Sequence, residues 1–151
     1  MACALALAAC GSAAAVSTTT TAPRHTSGFS PPRTTLTQQA AYLQDVAKVD
    51  GTLATYAQSN GNLGLSALLN DGLAFCGYLR SGAGIDNAMT AVVAGASSVE
   101  PQTHLPSTVE TFNTIDAVAL LTLCPSEQAQ IPPSARDTVH QLGQAIGAPA
   151  G

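Results

Sequence analysis

This 151-residue sequence predicts an all-α fold: a small bundle of four or five helices clamped by one disulfide and preceded by a disordered N-terminal stalk. Apolar residues recur at helical steps of three and four along several separate stretches. No stretch alternates apolar and polar residues between turn signals, as a half-buried strand would. Two cysteines, Cys76 and Cys124, each sit near the end of an apolar run, so that a bond between them would clasp two buried helices.

Composition sets the boundaries. With 46% hydrophobic residues the chain has enough apolar material for one core, and 4% aromatics with no Trp means that this core is built from small aliphatic side chains. Five Lys plus Arg and a net charge of -4 leave no basic surface for nucleic acid or for anionic lipid headgroups. The most apolar stretch, Val109 to Leu123, carries Asn113, Thr114 and Asp116 and is too short to span a bilayer.

Taken in order, residues 1–9 read as the remnant of an export signal. Ala4-Leu5-Ala6-Leu7-Ala8-Ala9 is a short apolar run, and Leu7-Ala8-Ala9-Cys10 resembles the lipobox of bacterial lipoproteins, in which the cysteine is lipidated and becomes the first mature residue. The basic segment that normally precedes such a run is missing, which puts the expected start of the reading frame upstream. Cys3 would then be discarded with the signal. The alternative is an alanine-rich disordered terminus with an incidental cysteine.

Residues 10–34 form the expected tether. Thr18-Thr19-Thr20-Thr21, Pro23 and Pro31-Pro32 cannot bury enough apolar area to offset their ordering entropy. A flexible coil of about 25 residues would hold the domain on the order of 25 to 30 Å from the membrane. Arg24, His25 and Arg33 read as solvated charge in this tether.

The helical domain spans residues 35–147, with a tail over 148–151. Thr35 and Gln38 stand at capping-box spacing, opening a helix with Tyr42, Val46, Val49, Leu53 and Tyr56 on one face, broadened by Leu36, Leu43 and Ala47. Asp50-Gly51 kinks or ends it, and Asn60-Gly61-Asn62 with Gly64 predicts a loop. A second helix runs from about Leu65 to Arg80, with Leu65, Leu68, Leu69, Leu73, Phe75, Cys76 and Leu79 apolar, and stops at Gly82 and Gly84. Asp86 is the expected cap of a third helix carrying Ile85, Met89, Val92, Val93 and Ala96, followed by a loop with Pro101 and Pro106.

Ser107 and Glu110 suggest a capping box for the fourth helix, through Val109, Phe112, Ile115, Val118, Ala119 and Leu123, which Pro125 ends. After a polar loop with Pro132-Pro133, Ser134 is the expected cap of a last helix whose face is Ala135, Val139, Leu142 and Ile146, terminated by Gly147.

In an exported domain, Cys76 and Cys124 are expected to be bonded. Closing a loop of about 48 residues gives roughly 4 kcal/mol in the chain-entropy model, an upper figure in practice. No Cys-x-x-Cys occurs, so the bond reads as structural rather than redox-active. Gly72-x-x-x-Cys76-x-x-Leu79-x-x-Gly82, a variable helix, and an aliphatic helix ending in Leu123-Cys124-Pro125 together resemble a family of small exported actinobacterial proteins of unknown function, abundant in mycobacteria. The resemblance covers about Tyr42 to Pro125. It implies a secreted or lipid-anchored helical domain with one disulfide, and it implies no activity.

Catalytic equipment is not evident. His25, His104 and His140 show no metal-ligand spacing, and no cofactor is expected. Ser134, Asp137 and His140 mimic a catalytic triad in composition only, because side chains stacked along one helix meet water rather than one another. Gly82-Ala83-Gly84 lacks the lysine and preceding strand of a phosphate cradle. Asp116 sits in an aliphatic helix; helical spacing assigns it to the exposed stripe of Asn113, the alternative being an inward carboxylate paired with Arg80. Tyr42, Tyr56 and Tyr78 read as core or interface residues, or alternatively as the lining of an apolar pocket.

The functional expectation is an extracytoplasmic protein, lipid-anchored through Cys10 or secreted, that displays a non-enzymatic helical interaction domain. Its partners would be the membrane and another envelope protein. The alternative is a carrier for a small apolar ligand such as haem or a lipid.

Overall fold

The computed structural model describes residues 33–99 and 108–148. Cys3, Cys10, Arg24, His25, nearly all of the tether, and the loop with Pro101, His104, Pro106 and Ser107 lie outside the described residues. The described chain forms five α-helices and one short 3-10 helix, with no strand among the described residues. In order these are α1 (Leu36–Val49), α2 (Gly51–Arg80), α3 (Ile85–Val99), α4 (Val109–Thr122), the 3-10 helix (Pro125–Gln130) and α5 (Pro133–Ile146).

Local chemistry accounts for most of the boundaries. The capping box at Thr35 and Gln38 is formed: the Gln38 amide donates to Thr35 Oγ1 (3.2 Å), and the Thr35 amide donates to Gln38 Oε1 (2.9 Å). Asp50 does two jobs in one residue. Its amide donates to Val46 O and closes α1, while its carboxylate accepts from the amides of Thr52 (2.8 Å) and Leu53 (3.2 Å) and opens α2.

The loop expected around Asn60-Gly61-Asn62 is instead a single-residue kink inside α2. Gly61 takes φ 53° and ψ -133°, a conformation open to glycine, so the chain changes direction without leaving helical pairing on either side. Asn60 Nδ2 donates to Tyr56 O (2.9 Å), satisfying a carbonyl beside the break.

Three expected caps are corrected. Asp86 lies inside the first turn of α3, where a carboxylate favours the positive end of the helix without capping it. The cap of α4 is Thr108, whose Oγ1 accepts from the Thr111 amide (3.1 Å). Ser134 is already inside α5, because Pro133 takes the first helical position and Pro132 the cap position. The loop expected after Cys124 begins with the 3-10 helix, and Gly147 ends α5 with φ 77°, as the sequence suggests.

The core joins α1, α2 and α4 around Tyr42, Val46, Leu53, Leu68, Phe75, Phe112, Ile115 and Val118. Helix α3 packs on α2 and α4, and α5 covers α1 and α4. Lys48 Nζ reaches across to Ile146 O at the end of α5 (3.3 Å) and pairs with Asp45 (2.7 Å). Within this core Cys76 and Cys124 form the expected disulfide, with their Cα atoms 5.8 Å apart and both residues fully buried. It ties α2 to the segment just past α4.

Several residues assigned to buried faces are exposed instead: Leu36 (83%), Val109 (71%) and Leu65 (37%), as is Ala47. Leu36 and Val109 occupy the first positions of their helices, and Leu65 follows closely on the kink.

Candidate functional site

The chemically distinctive place is the junction of α1, α2 and α4, where Tyr42, Asp71 and Asp116 influence one another electrostatically. Tyr42 projects from α1 into α2. Its hydroxyl donates to Leu68 O (3.0 Å), and its ring tip fills the space in which a side chain at Gly72 would lie. A Cβ at Gly72 would stand 2.7 Å from both Cζ and Oη of Tyr42 and 3.1 Å from Cδ1 of Leu123. The glycine is therefore what admits the phenol to the surface of α2.

Asp116 projects inward from α4. It is 2% exposed, and neither carboxylate oxygen has a hydrogen-bond partner. Both sequence readings of this residue are corrected: it does not share the exposed stripe of Asn113, and it does not pair with Arg80. The Arg80 Nε instead lies 3.8 Å from Glu127 Oε1 on the 3-10 helix. The reason lies in the position of α4, which touches all the other elements. With Thr111, Phe112, Ile115, Asp116, Val118, Ala119 and Leu120 all buried, its exposed stripe is too narrow to include position 116.

Burial, and then the charge of the half-buried Asp71, push the Asp116 carboxyl from 3.8 up to about 8. At neutral pH the group holds its proton, which spares the core an isolated charge. Burial likewise holds the Tyr42 phenol well above its ordinary value, with the charges of Asp116 and Asp71 adding to the effect. Tyr42 is thus a neutral donor across the physiological range. The sequence signal for Asp116 was its place among aliphatic residues, and Gly72 inside an apolar helix was the sign of close approach. Asp71 carried no sequence signal of its own.

A second feature is an open groove of about 480 Å³ between α4, the 3-10 helix and α5. Leu121, Ile131 and Val139 supply its apolar part, and Arg136, Asp137 and His140 its polar part. Ser134, Asp137 and His140 are all exposed, and the ring of His140 meets Gln144 (3.0 Å). Tyr42 and Tyr56 are core residues and Tyr78 is half-buried; none of the three lines the groove. Among the described residues no group of three or more His, Cys, Asp or Glu could hold a metal ion.

No family model, curated protein or solved structure matches the chain. Site chemistry and fold thus carry the functional reading. The buried Cys76–Cys124 bond points to an oxidising, extracytoplasmic setting, and no described helix is long and apolar enough to cross a membrane.

Proposed function

We propose that the protein is a cell-envelope lipoprotein, anchored through a lipidated Cys10, that displays a non-enzymatic helical interaction domain on the tether of residues 10–34. The observation that carries this reading is the fully buried Cys76–Cys124 bond, which clamps α2 to the segment just past α4. Such bonds form and persist in oxidising compartments and stabilise small domains outside the cell. Kinship with the small exported actinobacterial family belongs to the same proposal, supported by the Gly72-to-Gly82 and Leu123-Cys124-Pro125 patterns. Exposure of Ser134, Asp137 and His140 along one helix supports a non-catalytic role.

Metabolic labelling with a palmitate analogue tests the anchor. The full-length protein should take up label in a bacterial host alongside a control lipoprotein, and Cys10→Ala should not. An unlabelled wild-type protein beside a labelled control overturns the anchoring.

The groove beside α5 favours a second reading, a carrier for a small apolar ligand. Its volume lies within the range of small-molecule sites, and its wall mixes apolar and polar groups. Native mass spectrometry of protein purified from its own host separates the two: a stoichiometric bound lipid or haem supports the carrier, and a bare chain supports the display domain.

A further inference from the structure

The buried acid at the junction of α1, α2 and α4 has a use beyond packing. We propose that Asp116 is a proton-operated latch: while protonated it lets α1 seat on the disulfide-clamped pair of α2 and α4, and its ionisation releases α1 from them.

Three observations combine. First, Asp116 is buried with both oxygens unpartnered, so that the ionised form has no donor to stabilise it in the closed bundle. Second, the disulfide makes the response directional. Cys76 in α2 is bonded to Cys124 just past α4, so these two elements cannot separate there, whereas α1 is joined to α2 only at its far end through Asp50 and along the rest of its length is held by packing and side-chain contacts such as the Tyr42 bond to Leu68 O. Third, the contact that seats α1 is Tyr42 in the slot left by Gly72, and the charges of Asp116 and Asp71 both reach that phenol. A charge appearing at Asp116 therefore acts on the ring that pins α1 to α2.

The groups around Asp116 are consistent with this direction. On α1, Tyr42 feels the charge of Asp116, while the buried Asp45 is paired with Lys48; on α2, the charge of Asp71 acts on Asp116. On the remaining elements packed against α4, Asp86 lies in the exposed first turn of α3, Glu127 of the 3-10 helix is taken by Arg80 and Gln130, and Arg136, Asp137 and His140 of α5 surround the groove. None of these acts on Asp116. Tyr42 keeps its own proton well past the range in which Asp116 titrates, so the change originates at the carboxyl.

Opening α1 would hydrate Asp116 and return it to an ordinary carboxylic acid. By linkage, the opened population rises about tenfold per pH unit between roughly pH 5 and 8 and then levels off. Hydrogen exchange with mass spectrometry on the full chain, corrected for the pH dependence of intrinsic exchange, reads this directly. Peptides covering α1 should lose protection about tenfold per pH unit up to pH ~8, and should exchange through openings that leave the Cys76 and Cys124 peptides protected.

Asp116→Asn should abolish the pH dependence in α1. Asp71→Asn, which leaves the core carboxyl in place, should make the loss level off at a lower pH, because Asp71's charge is part of what holds the proton on Asp116. The latch is overturned by α1 protection that does not change with pH, by an unaltered slope in Asp116→Asn, by an unshifted plateau in Asp71→Asn, or by α1 peptides no less protected than those around the disulfide.

Discussion

Replacing Asp116 by Asn keeps the shape of the side chain and removes its titration, so the pH dependence of the stability difference isolates the buried proton. In the unfolded chain the carboxyl ionises near 3.8, and in the folded chain near 8. Between those values the folded state holds a proton that the unfolded state has released, so folding stability falls as pH rises. The contribution is fully present below about pH 4 and is lost progressively up to pH ~8, at about 1.4 kcal/mol per pH unit. The whole gap corresponds to roughly 6 kcal/mol, an upper figure because any relaxation of the core lowers it.

An Asn amide bears a similar burial cost at every pH and none of the titration. Asp116→Asn should therefore match wild type or fall slightly below it at pH 4, and exceed it by about 4 kcal/mol at pH 7. Urea denaturation followed by circular dichroism at each pH from 4 to 8 measures both chains. Groups common to the two, such as the Asp45–Lys48 pair and His140, cancel in the difference. A difference that is flat across this range, or one that favours wild type more strongly at pH 8 than at pH 5, would refute the assignment of a buried proton to Asp116.

Gly72→Ala pushes a methyl to within 2.7 Å of the Tyr42 ring tip and should cost about 1–3 kcal/mol by overpacking, seen as a lowered Tm. Tyr42→Phe removes the hydroxyl's bond to Leu68 O and should cost about 1 kcal/mol in chemical denaturation. Cys76→Ser, or reduction of the wild type, should lower the melting temperature sharply through the loss of up to about 4 kcal/mol; two accessible thiols in the folded, unreduced domain would contradict the bond. Gly61→Ala forces a side chain into a positive-φ kink and should destabilise by about 1 kcal/mol or more, with little change at the α2–α4 clamp.

The parts of this fold that depend on near neighbours in the chain were legible beforehand. The Thr35–Gln38 capping box, the stop at Gly82 and Gly84, the left-handed end at Gly147 and the apolar faces of α1 and α5 each arise from residues within a turn or two of one another. The disulfide followed from the presence of only two cysteines in the body of the chain. Errors in the local reading were shifts of one or two positions at caps, together with the expectation that an Asn-Gly-Asn segment needs a loop when one glycine suffices as a kink.

Amino-acid order by itself determined the all-α class, the start of α1 at Thr35, the stops of α2, α4 and α5 and the pairing of Cys76 with Cys124, because backbone capping and helical periodicity are settled over a few residues. Tertiary structure alone decided that Asp116 faces inward, that Gly72 is a slot for Tyr42, and that Arg80 serves Glu127. Periodicity gives the angle of a side chain around its own helix, but not how much of that helix's circumference its neighbours cover. For α4, surrounded by every other element, that coverage turned a residue assigned to the exposed stripe into a buried acid.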